Sequence, residues 1–157
     1  MATTYHDTAP VNGTSEVVSF AITGGVPVSG GVRISYRNDH SPIVPYNASA
    51  TVLRDALRSM TQIGANGVSA TGGPWPATPI VVTGTGHLAV TDLAPFTIDQ
   101  STLNAGTAAA TVTTPGVTAT QRGAIKGDLI ITRDTGDWWI NQGATAGVPV
   151  WKKVTTV

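Results

Sequence analysis

His6, His40 and His87 are the only imidazoles in the chain, and they are scattered without the paired His/Glu spacing that a metal site requires. Asp39 and His40 are adjacent, but they sit in the polar run Arg37–Pro42, which reads as a solvated turn and not as an acid–base pair. The segment Gly25–Gly30 has the glycine spacing of a phosphate loop, yet Gly31 and Val32 follow where Lys and Ser/Thr are needed, so a turn is the better reading. There is no G-x-S-x-G elbow, and the absence of cysteine excludes disulfides and thiolate ligands. No catalytic, cofactor-binding or metal-binding residue is expected, and no cofactor. Asn12-Gly13-Thr14 and Asn47-Ala48-Ser49 fit the glycosylation pattern, but the N-terminus lacks a basic and apolar leader, so both should be unmodified.

The side chains suited to binding are aromatic. Trp75 lies between two prolines, where it can anchor a partner or close the edge of a core. Trp138 and Trp139 are neighbours on a strand and must point to opposite faces, so one faces a local core and the other a partner or solvent. With Trp151 nearby, an interface is the favoured reading; a platform for stacking sugar rings is the sharper alternative. Tyr5, His6 and Pro10, in an N-terminal arm without periodicity, complete the candidate interface residues. The arm (residues 1–14) is either a frayed terminus or a segment lying on a neighbouring subunit.

The elements that would position these residues are mostly short strands. The exception is Pro45–Gly64, where Val52, Leu53, Ala56, Leu57, Met60 and Ile63 recur at steps of three and four. Arg54, Asp55, Arg58 and Gln62 take the other face. Ser49 is a plausible N-cap with Asn47 its competitor, and Gly64 is a natural stop, which predicts a central helix over about 49–63. Such a helix needs a sheet to cover its stripe. Strands are expected at 16–22, 32–36, 67–71, 80–82, 96–98 and 107–114. Thr113-Thr114-Pro115-Gly116 marks a boundary; a linker (117–124) and a small hairpin module (125–157) follow, with strands at 127–132, 137–141 and 150–154. The fold class is therefore α+β, mainly β: a sandwich-like antiparallel domain (15–116) packed with one helix, plus a C-terminal β module that must dock on something to be stable.

Charged residues make up only 11% of the chain, well below the usual quarter, so large surfaces are uncharged and suited to burial against other subunits. The net charge of zero argues against a nucleic-acid partner. It is unevenly spread: residues 1–114 carry four basic and six acidic side chains, residues 115–157 five and three. No apolar run approaches the roughly 18–20 residues that would cross a membrane.

The run from Val17 to Gly73 resembles a small module that recurs in virion proteins of tailed phages, especially those of actinobacteria. Its usual form is a strand, a Gly-rich turn, a strand ending in an aromatic residue, I-P-Y-N-A-S-A leading into a Leu-containing helix, and I-G-x-x-x-V-x-V-x-G. Phe20, Ile34, Tyr36, Tyr46, Asn47, Ala48, Leu57, Ile63, Gly64, Val68 and Gly72 occupy matching positions. The resemblance extends over residues 15–116 and departs from the module at Arg37-Asn38-Asp39-His40, where a simpler Gly/Thr turn is usual. The segment from Lys126 to Val154 is similar to a G-D-L … G-x-W/Y … P-x-W ending of phage head-decoration and tail-fibre proteins. The resemblance implies a non-enzymatic structural protein of a virion, made in the host bacterial cytoplasm. A capsid decoration protein is favoured, bound to the major capsid protein and to copies of itself as a trimer, with the arm and C-terminal strands as contacts. The alternatives are a minor tail or tube-associated protein partnered by tail proteins, and a host-surface glycan-binding module using Trp75 or Trp138 and Trp139.

Overall fold

The computed structural model describes residues 3–6, 9–120, 124, 126–145 and 148–155. In chain order the elements are β1 (Thr3–His6), β2 (Val17–Thr23), β3 (Gly31–Tyr36), β4 (Asp39–His40), β5 (Val44–Pro45), α1 (Ala50–Arg58), β6 (Val68–Gly72), β7 (Ile80–Gly84), a 3-10 turn (Gly86–Leu88), β8 (Phe96–Asp99), β9 (Thr107–Thr114), β10 (Leu129–Thr132), β11 (Trp138–Asn141) and β12 (Trp151–Lys153). The chain is mainly β with one helix, an α+β sandwich with antiparallel sheets.

One sheet runs β6-β7-β2-β9, every pair antiparallel. The second is built on β3, which pairs with β5 through Gly31 and Val32, with β4 through Ser35 and Tyr36, and with β8 from Arg33 to Tyr36. Strict alternation supplies the core. Val18, Phe20 and Ile22 of β2 and Val32, Ile34 and Tyr36 of β3 are all buried, while Val17, Ser19, Ala21, Arg33 and Ser35 between them are less so. Phe96 of β8 ties the layers, its ring edge-on to Phe20 at 5.3 Å and tilted against Tyr36 at 4.9 Å.

Helix α1 packs mainly on β6, with β7 and β5 beside it, and buries Leu53 and Leu57. The Ser49 hydroxyl accepts the Val52 N–H at 3.3 Å, which caps the first turn as the sequence suggests. The helix is shorter than 49–63: it ends at Arg58 and continues as tight turns that still bury Met60 and Ile63. Gly64, at φ +65°, closes them by donating to the Met60 carbonyl at 2.8 Å. Val52 does not belong to the buried stripe. It is 43% exposed, because the stripe that meets the sheet begins at Leu53.

The third sheet runs β1-β10-β11-β12, and its first strand comes from the opposite end of the chain. Residues 3–6 pair in parallel with 129–132, whereas the hairpin strands pair antiparallel. This corrects the expectation of an arm without partners in its own chain. The linker is corrected too. Thr14 and Val117 exchange backbone hydrogen bonds at 2.9 Å, and Thr120 donates to the Val11 carbonyl. Residues 11–14 and 117–120 thus run side by side as a two-stranded strap. Gly13 allows this closeness: a Cβ there would meet Val90 Cβ at 2.5 Å and the Val117 carbonyl oxygen at 2.7 Å.

Candidate functional site

The C-terminal sheet has two unlike faces. Residues directly opposite one another share a face. Ile130 lies opposite Trp139, and Asn141 opposite Trp151. Ile130, Asn141 and Trp151 are buried, Trp151 against the strap at Asn12 and Thr120, and Trp139 is half-buried. The other face carries Ile131 opposite Trp138 and Leu129 opposite Ile140, with Lys152 beside Ile140. Leu129, Ile131 and Ile140 are half-buried there, and Trp138 is 53% exposed.

Two asparagines position the covered face, and sequence reading gave neither a role in it. Asn12 reads the backbone of β12 as a neighbouring strand would: its Oδ1 accepts the Trp151 N–H at 2.6 Å and its Nδ2 donates to the Trp151 carbonyl at 3.5 Å. Asn141 is buried, and its Oδ1 accepts from Gly143 and Val150, both at 2.9 Å, while its Nδ2 donates to the Ala124 carbonyl. That pair of acceptor contacts closes the loop between β11 and β12. An asparagine leaving a strand ahead of Gln-Gly was the available signal.

Trp151 is 3% exposed and its indole N–H donates to the Thr120 carbonyl at 3.0 Å. Trp75 is likewise internal: it is 2% exposed, its indole N–H donates to the Phe20 carbonyl at 2.9 Å, and its backbone N–H donates to the Ala48 carbonyl. Both residues are corrected as interface candidates, because their rings fill this chain's own interior. Trp75 is the lid over the core edge. Trp139 is turned to the covered face, and its indole N–H has no hydrogen-bond partner among the described residues. Pro10 is half-buried. Tyr5 and His6 lie in β1, in register with Ile131 and Thr132, and their side chains are outside the described residues. Of the candidates whose side chains are described, Trp138 alone is largely exposed.

Beside Trp138 lies an open cleft of about 430 Å³, lined among the described residues by Gly136, Asp137, Trp138 and Val154. Asp137 meets Lys153 at 2.8 Å. The lysine, aided by the Thr135 hydroxyl, holds the Asp137 carboxyl below its ordinary range. The pair is solvated, so it contributes little stability, and Lys153 lies opposite Trp139, on the other face of the sheet from Trp138.

Ser35 Oγ and His40 Nδ1 lie 2.8 Å apart on an exposed turn, which is the spacing of a nucleophile and a base. The third member is misplaced: Asp39 accepts from the His40 backbone N–H at 2.8 Å and from Gln62 N–H at 3.3 Å, not from the ring. Its carboxylate ties the β3–β4 turn to the end of the helical segment. Burial opposes its charge, but the backbone donors of His40, Gln62 and Thr61 outweigh that and hold its pKa below the usual value. No group of three or more His, Asp or Glu among the described residues could hold a metal ion. Among the described residues no helix is long and apolar enough to cross a membrane. Neither a protein-family model nor a curated protein matches this chain.

Proposed function

We propose that this chain is a non-enzymatic structural protein of a tailed-phage virion, carried on the outside of the capsid as a decoration protein. Its partners are the major capsid protein and copies of itself. The observation that carries this reading is the uncovered face of the C-terminal sheet, where exposed Trp138 stands among Leu129, Ile131 and Ile140. A surface tryptophan over half-buried aliphatic side chains is the composition of an interface centre. The sequence resemblance supports the same assignment. Because β1 is engaged in its own sheet, the arm acts indirectly here, by building the sheet whose outer face meets the shell. Quantitative mass spectrometry of purified particles tests the proposal. A copy number matching the positions of the capsid lattice supports decoration, a handful of copies supports a minor tail protein, and absence from particles refutes both. Trp138→Ala should leave the fold intact and strip the protein from the shell.

A second reading follows from the cleft at Trp138. An exposed flat ring lining an open cleft suits the face of a sugar. Binding on a glycan array that Trp138→Ala abolishes would favour a host-surface module.

A further inference from the structure

Strand β9 is a free edge of the sandwich, and it lacks the devices that normally block one. It is eight residues long, TAAATVTT, without charge or proline. The neutrality extends well beyond it, since no charged residue occurs from Gln100 to Gln121. The direction of its backbone groups can be read from one contact. Ala108 donates its N–H to Gln100 Oε1 at 2.6 Å, so its polar groups point away from β2. In an antiparallel ladder these directions alternate, which turns the N–H and C=O of Ala110 and Val112 outward as well and those of Ala109 and Thr111 toward β2. Gln100 blocks the edge at Ala108. Among the described residues, no strand other than β2 pairs with β9, and no hydrogen bond occupies the outward groups of Ala110 or Val112. Val112 lies opposite buried Val18, on the inner face of the sheet, yet it is 48% exposed.

We propose that β9 pairs antiparallel with β9 of a second copy, about a two-fold axis through Thr111, so that the sheet runs on across a dimer. Side-chain direction and Gln100 fix the register. Inward residues must meet inward residues, and the blocked Ala108 must stay out of the ladder. Ala110 then lies opposite Val112 of the second copy, and the two exchange both hydrogen bonds on each side of the axis. The exposed Val112 side chains become covered. Charge selects the occupant: a charged strand would find no counter-charge on this edge, whereas an identical neutral edge meets no repulsion and is self-complementary about a two-fold. The pairing does not rest on the virion reading and would serve any role.

Sedimentation velocity of the full chain over a dilution series tests it. The wild type should pass from dimer to monomer on dilution. Thr111 is exposed on the outer face and its backbone faces β2, so Thr111→Lys and Thr111→Glu keep the fold, checked by circular dichroism, while placing like charges opposite each other at the axis. Each variant alone should lose the dimer, and an equal mixture of the two should regain it. Val112→Pro, which removes an outward N–H unused among the described residues, should also lose it. A wild type that is monomeric throughout, an oligomer that persists in both charge variants, or a mixture that stays monomeric would overturn the pairing.

Discussion

Replacing Asn12 by alanine isolates the strap that joins the two ends of the chain. The side chain makes two contacts to one residue, accepting the Trp151 N–H at 2.6 Å and donating to its carbonyl at 3.5 Å. The first is short and serves a residue only 3% exposed, so its loss leaves a poorly solvated N–H without a partner. Such a loss costs about 1–3 kcal/mol, while the longer contact adds little. The cost should fall on the C-terminal sheet alone, because the core of the sandwich closes without Asn12. Amide hydrogen exchange followed by NMR reads this locally. Opening that becomes easier by about 1–3 kcal/mol lowers protection by roughly fivefold to about 150-fold at Trp151 and Asn141. Protection at Phe20 and Ile34 should not change. Unaltered protection at Trp151 would show that the strap contributes nothing, and an equal fall at Phe20 would show that sheet and sandwich open as one unit; either result refutes the reasoning.

Two further substitutions test the sandwich. The Tyr36 hydroxyl is buried and has no hydrogen-bond partner, so Tyr36→Phe should stabilise the fold by about 1 kcal/mol, seen as a higher urea midpoint at unchanged slope; a clear loss would mean the hydroxyl is satisfied. Glu16 is 3% exposed and accepts the Leu93 N–H at 3.1 Å; burial, with the Asp92 carboxylate beside it, raises its pKa above 4.5. A folded pKa raised above the unfolded one makes the native state the better proton binder, so stability from this group falls as pH rises from 4.5 through the folded value. Glu16→Gln keeps an acceptor for Leu93 and should be more stable than the wild type at neutral pH, with the difference shrinking toward pH 4.5; urea midpoints across that range would show it. Asp39, Asp99 and Asp137 have lowered values and act below 3.8, so they do not obscure the window.

What the sequence disclosed is what short-range periodicity encodes. Phe20 between Val18 and Ile22, and Ile34 between Val32 and Tyr36, announce a half-buried strand because the period of two is complete within five residues. Ser49 and Gly64 announce the limits of the helical segment by the same local logic. Trp75, sealed by β2, is the core lid that its proline-flanked sequence allows, whereas the burial of Trp151 is decided by what arrives from elsewhere, a linker carbonyl and Asn12. Strand β1 was missed for a related reason. Thr3–His6 pairs in parallel with a partner more than 120 residues away, and one edge strand beside a formed hairpin needs no apolar alternation of its own. Asn12 reads as a sequon residue and Asn141 as the end of a strand because their contacts are long-range or run to backbone atoms, which composition does not mark.

The distribution of cover then bears on how binding would be felt. The centre of the sandwich is fully buried, with Phe20, Ile34, Tyr36, Leu53, Leu57 and Ile63 all at 0% exposure, so a partner can add little there. The C-terminal sheet is covered on one face, held by the strap and by single side-chain contacts such as Asn12 to Trp151, and open on the other at Trp138. A ligand or subunit that binds only the folded sheet stabilises it by mass action, and the gain appears first where the free protein opens most easily. Occupancy of the Trp138 face should therefore raise protection at Trp151 and Asn141, on the far side of the same sheet, while leaving Phe20 unmoved. The two ends of the chain would respond together, because β1 and β12 are the opposite edges of one four-stranded layer.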